Sequence, residues 1–78
     1  MFMRSKTTEI NKKISMRIKL ERTKRDWSQE ELAEYAGLSS NTIGRIERNQ
    51  ISPSIDTVVQ IACAFKLDFL KLIDYTNL

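Results

Sequence analysis

The side chains with chemistry to offer are concentrated between positions 29 and 48, in the run QEELAEYAGLSSNTIGRIER. The Asn41 amide carries a donor and an acceptor side by side, the pattern that pairs in two places with adenine. The Arg45 guanidinium pairs in the same two-pronged way with guanine, and the Ser40 hydroxyl makes weaker contacts of either kind. Other chemistries have no residues to run on. The chain has no histidine and one cysteine, Cys63, so zinc of the Cys/His type has no ligand set and an internal disulfide has no second thiol. No nucleophile and base converge, so no enzyme active site, metal or cofactor is expected. Glu30, Glu31 and Glu34 read as complements to a helix dipole rather than as an acid–base or metal cluster. Cys63 itself reads as a small core or semi-buried hydrophobe.

These polar residues need elements to hold them. The sequence is 78 residues with 41% hydrophobic residues, two Gly and one Pro, which suits one small helical domain and leaves little turn chemistry for strands. Ile10, Ile14 and Ile18 recur at i, i+4, i+8 and predict a first helix from about Glu9 to Arg25. Residues 1–8 are expected to form a flexible basic arm, and 9–78 a single domain. Ser28 and Glu31 have the spacing of a capping box, with Trp27 and Leu32 placed for a hydrophobic staple. The second helix then runs from Gln29 to Ala36 and stops at Gly37, where a left-handed residue is needed. Ser39 caps a third helix to about Arg48, with Ile43 and Ile46 inward and Ser40, Asn41, Gly44, Arg45 and Arg48 outward. Ser54 caps a fourth, with a stripe of Val58, Ile61, Ala62 and Phe65. Asp68 caps a short fifth.

The charge is unevenly spread. Residues 1–25 hold nine basic residues against two acids, a net +7, while residues 26–78 hold four basic residues against eight acids, a net −4. The basic half either orients the chain in the field of a polyanion or is a solvated helix face. No apolar run reaches the length of a membrane span, and positions 1–13 lack the apolar stretch of a signal peptide, so a cytoplasmic protein is expected.

Small Ala33, Gly37 at the turn, and Leu32, Ala36, Leu38, Ile43 and Ile46 facing one core give two helices crossing steeply through a tight connection. That is a helix-turn-helix layout, whose second helix enters the major groove of DNA. At this point the stretch WSQEELAEYAGLSSNTIGRIERNQISPSIDTVVQIACAF resembles the lambda-repressor/Cro-like, or Xre, family of transcriptional regulators. Restriction–modification controller proteins are the members nearest in length and layout. The resemblance implies an all-α, compact five-helix domain with the helix-turn-helix formed by helices 2 and 3. It also implies Ser40, Asn41 and Arg45 as base readers. Ser28, Gln29, Ser39, Gly44, Arg48 and Arg22 become contacts to the DNA backbone, and Arg22 with Glu47 a structural salt bridge.

Three positions depart from the family pattern: Asp26, Asn49 and Lys66 stand where the family often has Gly. Asp and Asn tolerate the left-handed conformation such turns need. The apolar end of the chain, with Phe69, Leu70, Leu72, Ile73 and Tyr75, exceeds what one short helix buries, so these residues are expected at a homodimer contact. Double-stranded DNA read as a near-palindrome is the expected partner, with RNA polymerase or a toxin as possible protein partners and no membrane association. An antitoxin or another protein-partner module built on the same domain is the alternative.

Overall fold

The computed structural model describes residues 4–74 and contains five helices: α1 (Arg4–Lys24), α2 (Gln29–Ala36), α3 (Ser40–Glu47), α4 (Ile55–Phe65) and α5 (Phe69–Leu72). No strand occurs among the described residues. Helix α1 begins at Arg4, so residues 4–8 belong to the helix and not to the arm expected for positions 1–8.

Four of the helices stop in the same way. Each ends with a left-handed residue: Asp26 after α1 (φ 58°), Gly37 after α2 (φ 72°), Asn49 after α3 (φ 60°) and Lys66 after α4 (φ 59°). In each case the next amide reaches back five residues, as in Trp27 N–H to Arg22 C=O at 3.2 Å, Leu38 to Ala33 at 2.8 Å, Gln50 to Arg45 at 2.8 Å and Leu67 to Ala62 at 2.9 Å. This is the Schellman arrangement, which satisfies carbonyls the helix leaves open. The three non-glycine residues are the three departures from the family pattern, and the turn geometry survives all of them. Left-handed strain of about 1–2 kcal/mol is expected to weigh most at Lys66, because Asp and Asn adopt this conformation more readily than Lys.

The starts are equally local. Ser28 accepts the Glu31 N–H at 3.0 Å while the Glu31 carboxylate accepts the Ser28 N–H at 2.8 Å, a complete capping box. Ser39 and Ser54 accept the N–H of Thr42 and Thr57, each at 3.1 Å. Asp68 occupies the N-cap of α5 without a side-chain cap bond.

One core joins the five helices. Ile18, Leu32, Ile43, Ile46, Ile61 and Leu72 are its fully buried large side chains, with Ala33, Ala36, Val58, Ala62 and Phe65 filling between them. Ile14 packs against this core from a partly buried position, and Ile10, a turn further out, is only half-buried. Trp27 packs on the core too, stacked on Phe65 with ring centroids 5.9 Å apart and tilted against Tyr35 at 4.6 Å. Cys63 is exposed on the outer side of α4, not buried as its type suggests.

Candidate nucleic-acid interface

Helix α2 packs on α3 and α4, and α1 supports α3 from behind. With Ile43 and Ile46 fixed in the core, the pitch of α3 turns Ser40, Asn41, Arg45 and Arg48 to solvent, and all four are exposed. Among the described residues, Ser40, Asn41 and Arg45 have no side-chain hydrogen bond or ion pair. Their donors and acceptors are therefore all available to a ligand. Ser28 and Ser39 lie exposed at the starts of α2 and α3; each hydroxyl accepts a backbone N–H, and that of Ser39 also pairs with Thr42 Oγ1 at 2.8 Å.

Gly44 lies in the middle of the outward face of α3 but is buried, contrary to expectation. The Arg48 guanidinium and the Gln29 amide lie across it. A Cβ at this position would come within 2.9 Å of Arg48 Nη1 and 3.2 Å of Gln29 Oε1. The glycine is a seat for these two side chains, which cover its backbone. Arg48 reaches on to Gln50 Oε1 at 3.4 Å.

Behind this face sits a buried ion pair. Arg22 donates from Nε to Glu47 Oε2 at 2.7 Å and from Nη2 to Glu47 Oε1 at 3.0 Å. Its Nη1 donates to the Trp27 carbonyl at 2.7 Å. The side chains are 12% and 3% exposed respectively. The two-pronged hydrogen bond to Glu47 raises the Arg22 pKa against the opposing effect of burial. Arg22 is thus a bracket between α1, the turn and α3, with all three of its guanidinium nitrogens engaged inside the protein. Gln29 Nε2 donates to the same carboxylate at 3.1 Å, which commits one of its two amide hydrogens and orients the other.

A second charged cluster, missed in the sequence, lies on α1. Glu21 is 4% exposed and accepts from Arg17 Nε at 3.1 Å, Arg25 Nη1 at 2.7 Å and Lys24 Nζ at 3.4 Å. Burial pushes its carboxyl pKa up, but the hydrogen bonds from Arg25, Arg17 and Lys24 outweigh this and hold it below the ordinary value. Arg25 also donates to the Phe65 carbonyl at 3.0 Å and lies 4.7 Å from the centre of the Phe65 ring, tying α1 to the end of α4. Arg17, Arg22, Lys24 and Arg25, a large part of the basic half, are therefore paired with carboxylates. The spacing of Glu21 to Arg17 and Arg25 was a legible signal, but it reads equally as a solvated pair.

Beyond α3, a polar cleft of about 180 Å³ is lined by Asn11, Asn49, Gln50, Ile51 and Ser52. The Asn11 amide donates to Ser52 Oγ at 2.8 Å, fastening the α3–α4 connection to α1. Of the expected dimer contacts, Leu72 is 1% exposed and belongs to the core of its own domain. Phe69 and Ile73 pack partly on that core, and Leu70 is 72% exposed. Tyr75 lies outside the described residues. No group of His, Cys, Asp and Glu capable of holding a metal occurs among the described residues. No helix there is long and apolar enough to cross a membrane.

The fold and this face define a helix-turn-helix DNA-binding domain. The chain belongs to the helix-turn-helix family HTH_3, which it matches over residues 18–72. It is 38% identical over 60 residues to the HTH-type transcriptional regulator SutR of Escherichia coli, and spans 34% of that protein's length. Among solved structures it is similar to an HTH_3 family transcriptional regulator from Vibrio cholerae, with a TM-score of 0.80 and 28% identity over 86% of this chain and 38% of that one. It is similar also to the restriction-modification controller protein C.AhdI from Aeromonas hydrophila, with a TM-score of 0.76 and 31% identity over 80% of this chain and 94% of that one. The Xre-like, all-helical reading of the sequence therefore holds.

Proposed function

We propose that the chain binds operator DNA as a symmetric dimer and controls transcription by occupying or flanking a promoter. Helix α3 of each protomer enters the major groove, where Asn41 and Arg45 read base edges and Ser40 assists. Ser28, Gln29, Ser39 and Arg48 hold the sugar–phosphate backbone, which fixes register without reading sequence. The observation that carries this reading is the contrast on the two sides of α3. Ser40, Asn41 and Arg45 are exposed with no partner in the protein, whereas Arg22 and Glu47 behind them are paired and enclosed. Gly44 supports it, because its missing side chain lets Arg48 lie flat beside the readers. The match to a controller protein along most of that protein's length supports the same assignment.

Selection of bound duplexes from a random library tests it. The expected result is a near-palindromic consensus with half-sites about ten base pairs, or about 34 Å, apart and two chains bound. Binding that selects no sequence and disappears with modest salt contradicts it, because only non-specific phosphate attraction behaves that way.

A further inference from the structure

Helix α4 turns Val58, Ile61, Ala62 and Phe65 to the core. Its other side carries Ile55, Asp56, Val59, Cys63 and the C-cap Lys66, all exposed; Ile55 is 67% and Val59 40% exposed. At 3.6 residues per turn Ile55, Asp56, Val59 and Cys63 fall within an arc of about 100° and form one face, and Lys66 follows at the left-handed C-cap. The face is apolar along its length, with an acid near one end and a base at the other. Neither Asp56 nor Lys66 has an ion-pair partner among the described residues.

A second copy of the chain matches this pattern. Two α4 helices packed antiparallel about a twofold axis level with residue 61 set Asp56 against the partner's Lys66. The same axis sets Val59 against the partner's Cys63, and by symmetry each contact occurs twice. A parallel pair would instead set like charges together, and an acidic or basic partner of another kind would match only one end. We propose that this face of α4 is the surface through which two copies associate, closing two Asp56–Lys66 pairs around a seam of Val59 and Cys63. Leu70, just beyond the C-terminal end of α4, lies at the end that the partner's Ile55 approaches. The proposal rests on the dimeric reading above and moves its contact from the end of the chain to α4.

Sedimentation equilibrium of the full chain tests it with Asp56→Lys, Lys66→Asp and the double exchange, each checked for folding by thermal melting. Each single reversal creates two like-charge contacts and is expected to raise the dimer dissociation constant roughly tenfold. The double exchange is expected to return it to within about threefold of the parent. Val59→Glu, at an exposed position, is expected to weaken the dimer also and serves if a reversal does not fold. A parent dimer indifferent to these changes, or a double exchange no better than the singles, overturns the α4 interface and leaves the dimer standing. A parent that stays monomeric at every concentration overturns both.

Discussion

Replacing Glu47 by glutamine keeps the shape of the side chain and removes its charge. In the folded chain Glu47 accepts three hydrogen bonds, two from Arg22 and one from Gln29, at 2.7, 3.0 and 3.1 Å. Arg22 cannot give up its proton, so the Glu47→Gln variant leaves a cation, 12% exposed, facing a neutral amide. Breaking a buried pair from one side costs about 3–5 kcal/mol. Arg22 keeps the Trp27 carbonyl and one oxygen of the new amide, so the lower end of that range, about 3 kcal/mol, is expected. In a domain of this size each kcal/mol moves Tm by about 4–8 °C, which puts the fall at roughly 12–24 °C. Thermal and urea melts followed by circular dichroism measure it. Replacing both residues with methionine is expected to cost less than Glu47→Gln alone, because no charge is left unpaired. A Tm within about 4 °C of the parent would place the pair with solvated surface pairs and contradict its role as a buried bracket.

The placement of the last helix predicts that Leu72→Ala destabilises the monomer by about 2–5 kcal/mol, while Leu70→Ala stays within about 0.5 kcal/mol in the same melts. Equal effects would contradict the assignment of Leu72 to the core. The Glu21 carboxyl has its pKa lowered on folding, the net of burial and the hydrogen bonds from Arg25, Arg17 and Lys24. A lowered carboxyl contributes stability above its ordinary value of 4.5 and loses it as pH falls through the folded value. Glu21→Gln is therefore expected to be less stable than the parent at pH 7 and to lose less stability on acidification. Acid limbs of equal slope would show that Glu21 does not drive the transition.

The parts of this fold that sequence made legible are those set by neighbours in the chain. The capping box of Ser28 and Glu31, the caps at Ser39 and Ser54, and the stop at Gly37 depend on a few adjacent residues, and each lies where the spacing put it. The outward placement of Ser40, Asn41 and Arg45 followed from helical pitch once Ile43 and Ile46 were assigned to the core. The parts that were not legible depend on distant contacts. Gly44 sits on the outward arc by pitch and is covered only because Gln29, fifteen positions earlier, reaches over it with Arg48. Glu21 reads as one acid among many bases until Arg25 is seen to anchor on Phe65, forty positions away. Cys63 has the residue type of a core position, yet α4 already fills its inward arc with Val58, Ile61, Ala62 and Phe65. Leu72 and Leu70 are both leucines two positions apart, and a four-residue helix carries too little periodicity to say which one faces in.

The most direct test of the claim that α3 reads sequence is the affinity of Asn41→Ala for two duplexes, the one selected from the random library and a scrambled duplex of the same length and composition. The expected result is a loss of about 1–3 kcal/mol on the selected duplex, relaxed preference at one base position, and little change on the scrambled one. Equal losses on both duplexes would contradict it and return Asn41 to the residues that hold the backbone.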